Sequence, residues 1–296
     1  MRRDREDPES LRGQELPVHD HGFVRLVDYM GDDAAIVAAA RVSYGAGTKS
    51  IRSNRGLIRY LMRHRHTTPF EMVELKFHIK APIFVERQWF RHRTASINSI
   101  SQRYSEMREE FFVPEPDAIR PQSPRNRQGR ADEPMPREDA ETAIRDWSTA
   151  NAHAYALYHQ HLVAGMSREL ARINLPLSLY TEWYWKINLH NCFHFLSLRL
   201  DQHAQQEIRD YAQVIERIAR AITPIAYEAF EDYVLGAATF SRTELALLRK
   251  LVRGDLVTEA DLDHGETWRT EFEAKLGMLL NDVLQTKVVG VHAEGE

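Results

Sequence analysis

"VELKFHIK", residues 73–80, alternates apolar and polar side chains without a break. In an extended chain its apolar members, from Val73 to Ile79, would share one face, and the polar members between them would share the other. A strand with one buried and one solvated face is typical of an antiparallel sheet. The segment therefore predicts a half-buried strand, and the aromatic-rich "LYTEWYWKIN", residues 179–188, predicts another.

Helical patterns flank both strands. "DDAAIVAAARV", residues 32–42, predicts a helix with Asp32 as its N-cap. Apolar residues at helical spacing predict a helix over residues 55–64, and Pro82 ends the first strand and opens a short helix over residues 83–92. Further helices are predicted over residues 140–164, 191–198 and 203–222. The fold class that follows is α+β, with a twisted, largely antiparallel sheet flanked by helices.

The composition narrows the classes of function. The chain has 296 residues, 43% of them hydrophobic, and a formal net charge of -4, so no overall attraction to nucleic acid or to a membrane is indicated. Cys192 is the single cysteine, which excludes a disulfide framework and a zinc site built on several thiolates. The charged start of the chain lacks the apolar stretch of a signal peptide, and no apolar run approaches the roughly 18 residues of a membrane span. We therefore expect a cytoplasmic protein.

An acid-free segment rich in hydrogen-bond donors follows the short helix. It reads "RHRTASINSISQR", residues 91–103, and we call it the signature segment. Arginine forks match phosphate oxygens, and hydroxyls and backbone amides can complete an anion site. Gln88 and Arg91 would share a helix face, and Asn98 could donate to and accept from a nucleobase or flavin edge. The alternative is a solvated basic turn, which is the commoner role of a charged run.

The spacing RHRxxSxNxxSxR within the signature segment resembles the signature of the flavin-dependent thymidylate synthases. Residues 64–93 and 171–209 resemble two longer stretches of the same family, and the resemblance covers residues 22–233. It implies an enzyme of dTMP biosynthesis that methylates dUMP to dTMP without a cysteine nucleophile. It further implies 5,10-methylenetetrahydrofolate as carbon donor, FAD reduced by NADPH as reductant, and a homotetramer with active sites shared between subunits.

The resemblance also implies the residues of the site. Arg199 would be catalytic, because its charge would favour ionisation of the pyrimidine. The implied dUMP contacts are Gln88, Trp89, Phe90, Arg91, Arg172 and Arg199, with Ser99, Ile100, Ser101, Gln102 and Arg103 as a loop around phosphate and sugar. The implied FAD contacts are Ser43, His66, Thr68, Glu71, Arg91, His92, Arg93, Asn98, Ser99, Asn188, Leu189, His190, His194 and His203. Two positions depart from the family pattern, since Ser99 stands where many members have Glu or Gln, and His194 where some have Asn.

Other side chains could in principle act as nucleophiles or metal ligands. Cys192 lies in an apolar helical stretch, where a thiol is usually inert. Ser101 has no evident base in the signature segment, so we assign it to substrate binding. His190 and His194 are four residues apart, but no glutamate or cysteine completes a metal motif. No metal site is therefore expected.

Alternatives to the enzyme stay open at this point. Arg199 could form a structural ion pair with Asp201 or Glu207 rather than act in catalysis. The chain could be a non-catalytic nucleotide- or RNA-binding protein that uses the arginine cluster, with a steep salt dependence. It could also be a family member that binds FAD and nucleotide without turnover.

The pattern along the chain predicts three parts. Residues 1–18, rich in charge and poor in apolar side chains, are predicted to be a disordered lead-in. Residues 19–238 would form a single catalytic domain, with a surface insertion over residues 113–139 that is rich in Pro, Arg and Asp. Residues 239–296 would form a mainly helical extension.

Overall fold

Five strands form one antiparallel sheet in the computed structural model, which describes residues 6–42, 54–124 and 129–280. The strands are β1 (Glu15–Val18), β2 (Gly22–Met30), β3 (Glu74–Pro82), β4 (Ser96–Ser99) and β5 (Tyr180–Asn188). Their order across the sheet is β1-β2-β3-β5-β4, and every neighbouring pair is antiparallel. Both predicted strands and the α+β fold class are confirmed.

The chain forms two compact units, Met1–Leu235 and Gly236–Glu296. The α-helices of the first unit are α1 (Pro8–Leu11), α2 (Asp33–Val42), α3 (Asn54–Arg63), α4 (Ile83–Trp89), α5 (Arg137–Val163), α6 (Arg168–Ala171), α7 (Leu189–Arg199), α8 (Gln206–Ile222) and α9 (Pro224–Phe230). Those of the second unit are α10 (Arg242–Arg253), α11 (Glu259–Leu262) and α12 (Glu266–Leu280), whose side chains Leu247, Phe272 and Leu276 form a small core. No helix among the described residues combines the length and apolar character that a membrane span requires.

Local sequence explains where the flanking helices begin. The carboxylate of Asp32 accepts the N–H of Ala34 at 2.8 Å, so Asp32 caps α2 as predicted. Pro82 is the last residue of β3 and the N-cap of α4, with a φ of -62° that suits both elements. The long helix α5 is followed by Gly165 in the left-handed region, at a φ of 83°.

The main hydrophobic core lies on the inner face of the sheet. Phe77 of β3 lies opposite Trp185 of β5, and both are fully buried with Trp183. Trp89 of α4 packs edge-on against these rings, with centroids 5.4 Å from Trp183 and 5.3 Å from Trp185. Helices α4, α7 and α8 contact one another or the sheet on this side, and α4 and α7 carry several of the residues expected at the active site.

The predicted disorder of residues 1–18 is wrong for the part that the structure describes. Residues 8–11 form α1, and β1 pairs with β2 along its whole length. Leu11, Leu16 and Val18 are buried in the main core. Three apolar side chains suffice to order this charged segment because a large core is already present to receive them.

The predicted insertion, residues 113–139, has little regular structure in its described part. It contains one 3₁₀ turn, Pro116–Ala118, and an isolated bridge between Gln122 and Arg130. The guanidinium of Arg130 forms an ion pair with Glu207, whose side chain is buried at the start of α8.

Candidate active site

The signature segment begins where α4 ends. Helix α4 stops at Trp89 with Phe90 as its C-cap, so Arg91 lies beyond the helix. The N–H of Arg91 reaches the carbonyl of Gln88 at 3.4 Å, and that of His92 reaches the carbonyl of Trp89 at 2.9 Å. Hydrogen bonds from an N–H to the carbonyl three positions earlier, as in a 3₁₀ helix, tighten the chain into a turn. The helix predicted over residues 83–92 is therefore too long, and the prediction that Gln88 and Arg91 share a helix face is wrong.

The signature segment continues into the edge strand β4, whose alternate residues face opposite sides of the sheet. Asn98 lies opposite Tyr184 and is exposed. Ser99 lies opposite Trp183 on the inner face, where its side chain influences the carboxyl group of Glu86 of α4. Burial raises the pKa of Glu86, while Arg87 and Ser99 act in the other direction. Ser99 is thus a strand residue, and the expected loop starts only at Ile100.

The last residue of α7 meets the signature segment in a single hydrogen bond. The Nε–H of Arg199 donates to Nε2 of His92 at 3.0 Å. His92 is only 8% exposed, and its ring packs edge-on against Phe195 with centroids 4.9 Å apart. Because Nε2 accepts a hydrogen bond from a guanidinium, the imidazole is neutral and carries its proton on Nδ1.

Burial sets the protonation of this pair. It lowers the pKa of His92 to about 4, and the charges of Arg199 and His194 add to the effect. Burial also lowers the pKa of Arg199, yet a guanidinium remains charged at neutral pH. The result is a half-buried cation held by a neutral acceptor.

No carboxylate among the described residues forms an ion pair with Arg199. Asp201 pairs with His203 at 2.8 Å, and Glu207 pairs with Arg130. The alternative of a structural ion pair between Arg199 and either acid is therefore wrong. A cation without a counter-ion suits an anionic ligand or a carbonyl that gains negative charge.

Gln88, Trp89 and Phe90, the expected dUMP contacts at the end of α4, are not equally accessible to a ligand. The side-chain amide of Gln88 donates to Gln205, directly before α8, and Gln88 is half-buried. Phe90 packs edge-on against Trp183 with ring centroids 5.6 Å apart. Trp89 is fully buried in the core, so its side chain cannot reach a ligand and only its backbone is available.

A second group of cations lies around α6. Arg103 pairs with Glu169 at 2.8 Å, and both side chains are more than half exposed. Arg172 begins the 3₁₀ helix that follows α6. The hydroxyl of Ser101 accepts the N–H of Arg103 at 3.3 Å, and within the described ranges no histidine or carboxylate hydrogen-bonds Ser101. Exposed ion pairs are weak, so an anion can displace Glu169 from Arg103 at small cost.

Comparison with known proteins identifies the family of the chain. The model of the thymidylate synthase complementing protein family matches residues 25–225. A flavin-dependent thymidylate synthase of Ruegeria pomeroyi is 52% identical over 266 residues, which cover 88% of this chain and 87% of that protein. The chain belongs to the flavin-dependent thymidylate synthase family. It is accordingly an enzyme of a methyltransferase class, and the resemblance seen in the sequence is confirmed.

A further member of the flavin-dependent thymidylate synthase family and one solved structure are also similar to this chain. The flavin-dependent thymidylate synthase of Wolbachia pipientis is 51% identical over 256 residues, covering 86% of this chain and 89% of that one. The crystal structure of the UMP/dUMP methylase PolB from Streptomyces cacaoi, bound with 5-Br dUMP, superposes with a TM-score of 0.67. It is 35% identical and covers 74% of this chain and 99% of that chain.

Some of the FAD contacts that the family implies lie around the start of α7. The 3₁₀ helix Thr68–Met72 contacts α7, and the N–H of Leu189 donates to the carbonyl of Val73 at 2.8 Å. Asn188 caps α7 by accepting the N–H of Asn191 at 2.9 Å. The exposed members of the implied set are His66, Thr68, Arg91, Arg93, Asn98, His194 and His203, while Glu71, Ser99, Asn188 and His190 are half-buried. Ser43 lies outside the described residues.

This donor set fits a flavin dinucleotide. Imidazole, hydroxyl, amide and guanidinium groups dominate the implied contacts, and Glu71 is the single acid among them. The N-terminus of α7, an 11-residue helix, adds partial positive charge suited to a pyrophosphate. His92 and Leu189 are exceptions to the family's implied contacts. Leu189 is fully buried, and Nε2 of His92 is already bonded to Arg199.

Nothing in the described residues of this flavin-dependent thymidylate synthase family member supplies a thiol nucleophile. Cys192 is fully buried in α7, and burial raises the pKa of its thiol to about 12. A thiol in that state stays protonated at neutral pH and is not reactive. In the described part of the chain, no group of three or more His, Cys, Asp or Glu side chains is arranged to hold a metal ion.

Proposed function

We propose that the chain is a flavin-dependent thymidylate synthase that methylates dUMP to dTMP, with 5,10-methylenetetrahydrofolate as carbon donor and NADPH as reductant through FAD. Membership of the family supports the reaction class. The observation that carries the proposal is the contact between Arg199 and His92, which holds at the end of α7 a guanidinium that has no counter-ion among the described residues. Such a fixed cation lowers the free energy of a pyrimidine that becomes anionic during reaction.

The nucleotide would be held at both ends. Arg199 would face the base, together with the half-buried amide of Gln88. Arg91, Arg103 and Arg172 would bind the phosphate, because guanidinium forks match phosphate oxygens. All three arginines retain solvent access, which an incoming phosphate requires. The dUMP analogue bound by the methylase PolB supports this ligand class.

The chain would perform the methylation without an enzyme nucleophile. Cys192 is protonated and buried, and the hydroxyl of Ser101 has no base beside it in the described residues. When bound and reduced, FAD supplies the reducing equivalent for the methyl group. His66, Thr68, His190 and His194 would hold it, together with Asn98 on the outer face of β4. The neutral His92 accepts a hydrogen bond from Arg199 and leaves its charge intact.

We further propose a homotetramer with shared active sites. Near the end of α5 and around α6, the apolar side chains of Val163, Leu170, Ile173 and Leu177 are each more than half exposed. Exposed apolar groups at this density favour a subunit contact. Arg172 lies among them, so a partner subunit would sit close to the phosphate-binding arginines.

The decisive experiment combines a spectrum with turnover. Purified protein should show the visible absorption of a flavin, and dTMP should form when dUMP, methylenetetrahydrofolate and NADPH are supplied. Arg199→Ala should abolish turnover. Arg217→Ala is the matched control, since this exposed arginine of α8 pairs with Glu6 and touches none of the site residues described. Protein that cannot be loaded with FAD, or dTMP formation unchanged in Arg199→Ala, would contradict the proposal.

The shared site has its own test. The assay uses dUMP at a concentration low enough for the weaker binding of Arg103→Ala to limit its rate, while Arg199→Ala lacks turnover. Unfolded together and reassembled, the two variants should show more activity than the sum of the separate proteins, because some sites then receive both intact arginines. Light scattering should give the mass of four chains. A mixture that forms tetramers without this gain would place both arginines in one subunit's site.

A further inference from the structure

His92 differs in its surroundings from the other histidines that are expected at the site. It is buried, whereas the neighbouring His194 is exposed, and its ring lies between the aromatic side chain of Phe195 and the guanidinium of Arg199. Its hydrogen bond crosses 107 residues of sequence to join the turn after α4 to the last residue of α7. The contact therefore links directly the two stretches of the chain that resemble the family.

The geometry of the bond decides what it does to the guanidinium. Arginine donates from five N–H groups in a rigid plane, and His92 takes the single Nε–H at 3.0 Å. A hydrogen bond at Nε fixes the rotation of the guanidinium plane about the side-chain axis. Both terminal amino groups, which donate to no other described residue, remain available to a ligand. A carboxylate in the same place would also engage one terminal amino group and would neutralise the charge. A neutral imidazole orients the cation and leaves its charge intact.

We propose that His92 is a positioning residue for Arg199, and that it acts on the nucleotide through this arginine rather than on the flavin. The inference rests on the proposed function of Arg199. It assigns His92 a role other than the FAD contact that the resemblance implies. With Nε2 engaged and 8% of the residue exposed, His92 retains only its Nδ1–H for any other partner.

An isosteric pair of variants tests the hydrogen bond itself. His92→Gln places an amide oxygen close to the position of Nε2 and keeps an acceptor for Arg199. His92→Met has similar length and volume but no comparable acceptor. A hydrogen bond to a charged group is worth about 10- to 100-fold in a binding or rate constant. We expect His92→Met to lower kcat/KM for dUMP by about that factor, and His92→Gln to recover most of the loss.

A double-mutant cycle then shows whether His92 acts through Arg199. In the Arg199→Ala background, His92→Met should change dUMP affinity, measured by calorimetry on FAD-loaded protein, by less than about twofold. FAD content per chain should match that of the unmodified protein in both His92 variants. Should His92→Met not fold, His92→Asn replaces it, because the shorter amide falls short of Arg199.

Three results would overturn the proposal. These are a His92→Met variant with unchanged kcat/KM and dUMP affinity, a loss of FAD without a loss of dUMP affinity, and losses that multiply in the double variant. Failure of the proposed function looks different. The unmodified protein would then form no dTMP, while the calorimetric cycle between His92 and Arg199 would still report whether the two side chains act as one unit.

Discussion

Replacing His92 by Gln should remove a pH-dependent part of the free energy of unfolding. In the folded chain the pKa of His92 is lowered to about 4 by burial, with the charges of Arg199 and His194 contributing. In the unfolded chain the imidazole titrates near its ordinary value of about 6.5. The folded state therefore binds this proton less readily than the unfolded state.

The sign and size of the effect follow from linkage. Above pH 6.5 the imidazole is neutral in both states, and its contribution is fully present. As the pH falls from 6.5 toward 4, the unfolded chain takes up the proton first, so stability is lost. Between pH 7.5 and pH 5 the loss amounts to about 2 kcal/mol, and below pH 4 it reaches about 3 kcal/mol. Glutamine does not titrate, so the His92→Gln variant should lack this loss.

Urea unfolding of the two proteins at pH 7.5, 6 and 5 provides the measurement. Fluorescence of the buried tryptophans reports the first unit, and equal chain concentration and saturating FAD remove differences from assembly and ligand binding. The lowered pKa of His78, another partly buried histidine, affects both proteins alike and cancels in the comparison. Stability differences that stay constant within about 0.5 kcal/mol across this range would refute the reasoning, because His92 would then be protonated equally easily in both states.

Three further predictions concern packing, phosphate binding and the C-terminal unit. A Cβ at position 22 would overlap the Tyr211 hydroxyl and lie 2.6 Å from a backbone carbonyl. Gly22→Ala should therefore lower the free energy of unfolding, measured in urea, by several kcal/mol, roughly the upper end of overpacking effects. Arg103→Ala should weaken dUMP binding about 10-fold in calorimetry and change stability by less than about 1 kcal/mol, whereas Glu169→Ala, which removes only the exposed partner, should not weaken binding. Truncation after Leu235 should leave FAD binding and the unfolding midpoint of the first unit unchanged, and loss of either would show that the second unit is required for folding.

The parts of the fold that sequence could predict are those in which side-chain period and burial coincide. β3 alternates because one face packs on the core and the other meets solvent, and this alternation is visible without any partner. The sequence did not predict β1 and α1, because these segments are ordered by contacts with β2 and α8 and not by their own composition. β4 has only four residues, and a strand that short carries no readable period.

The set of site residues that the sequence implies stays a prediction, and the contacts between them could not be predicted from the sequence. The spacing of the signature segment points to the family, yet nothing near His92 indicates that its partner is Arg199. The same holds for the hydrogen bond between Gln88 and Gln205, which joins residues 117 positions apart. Such pairs are brought together by the packing of α4 and α7 against α8 and the sheet, and packing is a property of the whole chain.

The position of β4 at the edge of the sheet would let one short segment contact both proposed ligands, dUMP and FAD. Alternation places Asn98 on the outer face, beside Tyr184, and Ser99 on the inner face, beside Trp183 and α4. A shift of the pairing by one residue would exchange these faces. The register is held beyond the strand as well, since the N–H of Ile100 donates to the carbonyl of Glu182 at 2.9 Å. On this face the side chain of Ser99 also influences the carboxyl group of Glu86 from α4, where it acts against the rise in pKa that burial causes.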